Sequence, residues 1–416
     1  LNLHTPYPYW LLKNGFLCEY PALRNTLQVD YLVMGGGITG ALTAWYLAQA
    51  GIQVAIVDRR HIGMGSTCAS TALLQYEIDV PLYELAKSVG EKDAARSYHL
   101  CINAIDKLEL ICEKMPLPTG FERKPSVYYA SRKADLEGLD QEYAMRKKHG
   151  IRVERWDKSD MAGAFPAFKA PGAIYSPHDA AQVDAYSLTH ALLQDAIKHG
   201  AQVFDKTEIV GIRHEKTQVV LHTQHGQSIR AKQLVIAGGY ESQEYLTQKV
   251  TRLHSTYALV SEPFDRDEIW YRDALIWETA RPYLYLRTTP DRRVLVGGRD
   301  EPFFNPGKRD GLLAKKTQQL TQDFNKRFPT LAPLLVDFNW AGTFAETADG
   351  LPYIGTVRER PRTFFALGFG GNGILFSQIA GEIIRDAAMG KKNSDAHIFS
   401  FTRASSTNTR SGIPKR

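Results

Sequence analysis

The segment from Asp30 to Asp58, DYLVMGGGITGALTAWYLAQAGIQVAIVD, constrains the fold more than any other part of the chain. Tyr31, Leu32, Val33 and Met34 make a short apolar run of the kind buried in a parallel sheet. Gly35, Gly37 and Gly40 then fill the three glycine positions of GxGxxG, with Ile38 and Thr39 between them at the start of a helix. The first glycine permits a tight turn, the second lets backbone approach a pyrophosphate, and the third lets helix pack closely on strand. The pattern predicts that the helix runs through Ala50 and stops at Gly51, and that a second strand follows at Val54–Val57. Asp58 ends that strand, roughly twenty residues past the glycines, where a carboxylate can accept hydrogen bonds from a ribose diol. A phosphate at the helix start would meet backbone N–H groups and the positive end of the helix dipole. Strand, glycine turn, helix, strand and terminal acid together predict a dinucleotide site.

A chain of 416 residues is long enough for two domains with their own cores. No apolar run reaches the ~18 residues that a membrane helix needs. Residues 1–21 lack the basic start and continuous apolar stretch of a signal peptide. Net charge is +6, and four of the cations (Arg403, Arg410, Lys415 and Arg416) fall in an acid-free tail, so the balance elsewhere is ordinary. That argues against a nucleic-acid partner. Cys18, Cys68, Cys101 and Cys112 show neither CxxC nor Cys/His ligand spacing. The expectation is reduced thiols, no metal or iron–sulfur centre, and a location in the cytoplasm or at a membrane periphery.

Residues 1–29 read as an irregular aromatic arm. After Asp58, Gly63, Gly65, Ser66, Thr67 and Ser70 form a small, hydroxyl-rich turn suited to a diphosphate or sugar chain. Arg59 and Arg60 stand where a 2′-phosphate could bind, but the Asp58 carboxylate would repel it, so Arg59 is placed beside the nucleotide without implying NADP. Residues 81–115 read as helical, 121–131 as strand, and 135–150 as a charged, solvent-facing helix. Residues 183–200 form an amphipathic helix with a glycine stop. A hairpin-like pair follows, and its second member, Leu234-Val235-Ile236-Ala237, closes at Gly238-Gly239 like a chain returning to the first sheet. Residues 251–300 are strand-rich, and alternation puts Tyr283, Tyr285 and Arg287 on one face. Helix returns at 311–328. The chain closes with a strand, the glycine-rich turn 368–373 and a helix from near Ile374. The nucleotide domain is thus expected from the beginning, middle and end of an α/β chain.

The ordered set GGGITG…VD, GSTCAS, VDAYSLTHALLQDAIKHGA, QLVIAGG, WAGTFAETADGLPYIG and FALGFGGNGILFSQIAGE resembles the D-amino acid oxidase/glycine oxidase family of flavoproteins over roughly residues 25–400. Trp340, Gly342, Thr347, Asp349, Gly350, Pro352 and Gly355 match the family pattern near its end, but Phe344 or Ala345 stands near the place of the family's Arg. The arm and GSTCASTALL resemble bacterial members of the family of the glycine/D-amino acid deaminating oxidase kind. Some of those carry a Rieske domain whose Cys/His pairs this chain does not show.

The resemblance implies FAD. It implies a Rossmann-like FAD-binding domain (1–85, 165–245 and 342–400) and a mixed-sheet substrate domain (86–164 and 246–341); the basic, Ser/Thr-rich run 401–416 reads from its composition as a mobile tail. It places Gly35, Gly37, Ile38, Thr39, Gly40, Asp58, Arg59, Ser66, Thr67, Ser70, Gly238, Gly342, Asp349 and Gly350 at the cofactor. Gly370, Gly371, Asn372, Gly373 and Ile374 are expected beside the flavin, where a helix start would stabilise an anionic ring. Tyr285, Arg287 and Tyr257 are the first candidates for the substrate, with Tyr283, Arg281, Arg299 and Asn372 as others. Covalent attachment is not expected, because the relatives' His falls on Ala69 and their Cys near Gly342; Cys68 is the remaining thiol. The implied activity is oxidation of the C–N bond of an amino acid or secondary amine, with oxygen or a quinone as acceptor. Oxidation of a C–O bond, an NAD(P) enzyme and a non-catalytic flavoprotein subunit are the alternatives.

Overall fold

The computed structural model describes residues 2–5 and 7–403, so most of the basic tail lies outside the described residues. The first sheet has eight strands. At its centre, Thr363–Leu367, Ser228–Ile236, Leu27–Met34, Val54–Val57 and Gln202–Phe204 lie parallel in that order, with Tyr353–Thr356 antiparallel at one edge. Leu32, Val33, Ala55, Ile56, Leu234 and Val235 are fully buried because both faces are covered, which is why these strands read as unbroken apolar runs. Val33, Ile56 and Val235 face a helical layer. Leu32, Ala55 and Leu234 face Val219 and Leu221 of an antiparallel extension that folds over the other side. Each buried Leu, Ile or Val here contributes about 1.5–3 kcal/mol.

In the helical layer, helix Ile38–Gln49 packs between Gly373–Ala388 and Ala185–Lys198. A Cβ at Gly381 would stand 2.7 Å from the Tyr46 ring and 3.3 Å from the Leu42 carbonyl oxygen, so the absent side chain permits this close crossing. Asp184 caps the third of these helices by accepting from the amides of Tyr186 and Ser187.

The second sheet has ten strands. Val336–Glu346, Arg252–Ser261, Val294–Pro302, Tyr285–Thr288, Leu275–Glu278, Glu122–Tyr129, Ala173–Gln182 and Leu73–Gln75 run across it in that order. Leu73–Gln75 and Ala173–Gln182 were expected in the cofactor domain; their hydrogen bonds put them in this sheet instead. The arm is less irregular than expected. His4–Thr5 adds an edge strand to this sheet, and Tyr9–Asn14 is a short helix that buries Trp10.

Two helical expectations change. The segment 81–115 is two helices, Leu82–Val89 and Glu91–Cys112, broken at Gly90, whose φ of +89° favours glycine. Helix Leu136–Lys148 does not face solvent all round. Glu142 and Arg146 are 1% and 0% exposed, because Arg146 bonds Glu142, Glu77 and the Tyr76 hydroxyl in the core. The first tail residues are also ordered by contacts: Phe401 stacks on Tyr353, and Arg403 forms a buried two-point pair with Asp349 at 2.7 Å. Among the described residues no helix is long and apolar enough to cross a membrane.

Candidate active site

A cleft of about 310 Å³ runs between the carboxyl ends of the parallel strands and one face of the ten-stranded sheet. At one end it is walled by Gly35, Gly37, Ile38, Thr39, Asp58, Arg59, Ser66, Thr67, Ser70 and Gly238. At the other stand Gly342, Gly370, Gly371, Asn372, Gly373, Ile374 and Tyr285. Two glycine turns far apart in the chain therefore share one space. Their helices begin side by side, tied by Thr39 Oγ1 and Ser377 Oγ at 2.8 Å.

The first turn is held by its neighbours. Asp58 accepts from the amides of Gly36 and Arg60, both at 2.7 Å, and burial raises its carboxyl above the ordinary value. Ile38 N–H donates to Thr67 Oγ1 at 3.0 Å, which joins the hydroxyl-rich turn to the helix start. That turn is anchored by the Trp10 indole on the Ser70 carbonyl and the Trp340 indole on the Ala69 carbonyl. Arg59 and Arg60 both pair with Glu241, which leaves the NADP alternative with little support.

The second turn is held by Asp79. Its carboxylate accepts from the Gly371 amide at 2.7 Å and the Tyr283 hydroxyl at 2.9 Å, and burial raises its carboxyl despite these bonds. A Cβ at Gly370 would meet Asp79 Oδ2 at 2.5 Å, so glycine is required for this approach. Asn372 donates to the carbonyls of Gln75 and Glu77 at 2.7 and 2.8 Å, clamping the turn to the segment after Leu73–Gln75.

Several expected site residues lie elsewhere. Arg287 is fully buried, and its Nη1 donates to the carbonyls of Thr71, Ala72 and Val183; it braces the loop instead of reaching the cleft. Burial pushes its guanidinium down to about 10. Tyr257 points the other way and donates to the Arg309 carbonyl. Asp349 is engaged by Arg403, and neither it nor Gly350 lines the cleft. Gly40 lies behind the turn, where a Cβ would meet the Gly35 carbonyl oxygen at 1.8 Å. Arg299 forms a two-point pair with Asp323, at 2.7 and 2.6 Å, outside the cleft.

Sequence reading missed Asp300, Thr256, Trp277 and Asp79, all of which line the cleft. Burial pushes Asp300 up to about 7; Asp79 and Glu346 add to the rise, while a Thr256 hydrogen bond and His254 oppose it. Asp300 follows Val294-Leu295-Val296-Gly297-Gly298-Arg299 and so ends an apolar, glycine-bearing run much as Asp58 ends Val54–Val57; that parallel was the available signal.

A Rossmann-like sheet sharing one cleft with a mixed sheet is the architecture of a nucleotide-cofactor-binding protein. The chain belongs to the DAO family of FAD dependent oxidoreductases, whose model matches residues 30–387. It is 27% identical to a glycine oxidase of Geobacillus kaustophilus over 91% of this chain and 98% of that protein. It is 24% identical to a gamma-glutamylputrescine oxidoreductase of Escherichia coli over 93% and 89% of the two chains. Its fold matches the crystal structure of glycine oxidase from Geobacillus kaustophilus with a TM-score of 0.77, at 23% identity, over 91% of this chain and 99% of that one.

FAD is the family's cofactor, and the cleft fits it. At the first turn, a Cβ at Gly35 would meet the Ala237 carbonyl oxygen at 2.4 Å and one at Gly37 would meet Thr67 Oγ1 at 2.9 Å, so backbone alone lines the cradle there. At the other end, Gln75 Nε2, Glu77 Oε2 and Trp277 Nε1 are buried at the cleft wall without a hydrogen-bond partner among the described residues. A heteroaromatic ring with alternating donors and acceptors is the kind of ligand that satisfies such atoms.

Proposed function

We propose that the protein oxidises the C–N bond of an amino acid or secondary amine, giving an imine that water hydrolyses. The observation that carries this reading is the single cleft joining the Gly35 turn to the Gly370 turn. Gly35, Gly37, Ile38 and Thr39 would hold the diphosphate, and Asp58 the ribose. Gly370–Gly373 and the start of helix Gly373–Ala388 would hold the redox ring. FAD, when bound, would supply the two-electron oxidant for the C–N bond.

The chain's own residues orient, exclude water and manage charge. The positive end of helix Gly373–Ala388 favours negative charge beside the turn. Asp79, Tyr283 and Asn372 fix the turn's backbone, so this field is preorganised. Tyr285, Trp277 and Phe344 wall the same end with apolar surface and keep water from the reacting carbon. Asp300 stands on that wall as the group able to take a proton from the substrate nitrogen before the C–H bond breaks. Oxygen or a quinone is the final electron acceptor in this reading.

The protein saturated with FAD is expected to show flavin absorbance that bleaches on anaerobic addition of an amine or amino acid from a broad panel. Flavin reduced by dithionite but by no C–N substrate, or only by hydroxy acids, would contradict the reading.

A further inference from the structure

We propose that the redox end of the cleft selects an amine cation that carries no α-carboxylate, its ammonium held by Asp300 within a ring of Trp277, Tyr283, Tyr285 and Phe344. This rests on the C–N oxidation just described and narrows its substrate class.

The charges lining the cleft are the first argument. Among the described residues the only cationic side chains on its wall are Arg59 and Arg60, both at the nucleotide end and both paired with Glu241. At the redox end the carboxyl side chains on the wall are those of Glu77, Asp79 and Asp300. Glu77 is matched by Arg146 at 3.2 Å, and Asp79 is matched by the Gly371 amide and the Tyr283 hydroxyl. Asp300 forms no ion pair among the described residues, and its Oδ1, like Glu77 Oε2, is buried with no hydrogen-bond partner there. A buried acid oxygen without a partner is costly, and an ammonium donor satisfies it.

The nearby cations are directed elsewhere. Arg281 lies 4.9 Å from the Tyr283 ring centroid and donates to the Asp79 backbone carbonyl at 2.6 Å. His254 pairs with Glu346 at 3.2 Å. Arg287 is held by three backbone carbonyls. A substrate carboxylate would therefore enter next to Asp300 with no countercharge on the wall.

The aromatic side chains are the second, independent argument. Trp277 is 4% exposed, stacks on Tyr128 and lines the cleft with an unpartnered indole N–H. Tyr283 and Tyr285 have ring centroids 5.7 Å apart. A Cβ at Gly297 would stand 2.2 Å from the Tyr285 ring, so glycine there lets that ring lie over the strand that carries Asp300. Electron-rich rings beside a carboxylate recognise alkylammonium groups.

The test uses FAD-loaded enzyme under anaerobic conditions with matched pairs: butylamine against norvaline, 1,4-diaminobutane against ornithine, and N-methylbutylamine against N-methylnorvaline. Within at least one pair the amine is expected to bleach the flavin about 100-fold faster than its carboxylated partner at equal concentration, the scale of a like-charge clash in a desolvated site. Binding is read separately with ligands that cannot be oxidised. tert-Butylammonium, which has N–H donors but no C–H on the carbon bearing nitrogen, should perturb the flavin spectrum, and its affinity should fall at least ~10-fold in Asp300→Asn while Arg281→Gln leaves it unchanged. Acetate should bind no better than to free flavin. Faster bleaching by the amino acids, acetate binding lost in Arg281→Gln, or tert-butylammonium binding unchanged in Asp300→Asn would each overturn the proposal while leaving C–N oxidation standing. Bleaching by neither class, with dithionite still effective, would instead sink the reaction itself.

Discussion

Alanine at Gly40 is expected to give a protein without bound flavin. The residue sits in the first turn of helix Ile38–Gln49, and a Cβ there would lie 1.8 Å from the Gly35 carbonyl oxygen and 3.2 Å from Ile56 Cδ1. Neither neighbour can yield: one is backbone of the cofactor turn, the other a fully buried strand residue. Helix and strand must separate, which costs about 3 kcal/mol or more at a site packed this closely. The displacement falls on Gly35 and Gly37, so cofactor retention should drop about 100-fold, the loss of affinity that about 3 kcal/mol of binding energy corresponds to. Gly51→Ala is the control. Unlike Gly40 it has a positive φ, +74°, and nothing lies within 4 Å of its Cβ. Its cost should be the ~1–2 kcal/mol of a left-handed non-glycine residue, with flavin retained. Absorbance of the purified proteins and their urea unfolding curves check both.

The second large effect is at Arg146. It is 0% exposed and bonds Glu142 at 2.8 Å, Glu77 at 3.2 Å and the Tyr76 hydroxyl at 2.9 Å, among the rings of Tyr76, Tyr98 and Tyr128. Arg146→Met keeps the stem but leaves two carboxylates buried and unpaired, a loss of about 3–5 kcal/mol. The loss should depend on pH in a stated direction. Burial already raises the Glu77 carboxyl above its ordinary value, and Arg146 opposes that rise. Without the arginine the folded-state value climbs further. The protonated form then favours folding at low pH, and stability is lost as pH rises through the folded value. Unfolding measured at pH 5 and pH 8 should show the smaller deficit at pH 5. Adding Glu77→Gln should recover part of the loss at pH 8. Glu77, Gln75 and Asp79 share the segment that lines the redox end, so flavin retention should fall in parallel.

How much of this was legible depends on where each signal lives. The first strand–turn–helix–strand unit is local: glycine spacing, apolar runs and Asp58 lie within thirty residues, and the folded unit matches element by element. The last glycine turn was legible for the same reason. Arg287 was misread because its three carbonyl partners, on Thr71, Ala72 and Val183, lie far away in sequence. A lone arginine on a strand shows its charge and hides its partners. Asp349 followed a family pattern, but its charge is satisfied by Arg403 from a tail that reads as solvated. The acidic character of the redox end was hidden in another way. Asp79 and Asp300 come from unrelated segments, and Asp79 follows a strand, Leu73–Gln75, that pairs with Ala173–Gln182 in the second sheet. That pairing leaves no periodic trace, since SPHDAAQ alternates neither polarity nor size.

The central claim is that one FAD molecule spans the cleft from the Gly35 turn to the Gly370 turn. A crystal structure of the FAD-loaded protein tests it most directly. The account predicts the diphosphate against the backbone of Gly37 and Ile38, and the isoalloxazine ring between Gly370–Gly373 and Tyr285. A cofactor lying in the opposite sense, or one that leaves either turn without contact, would contradict it.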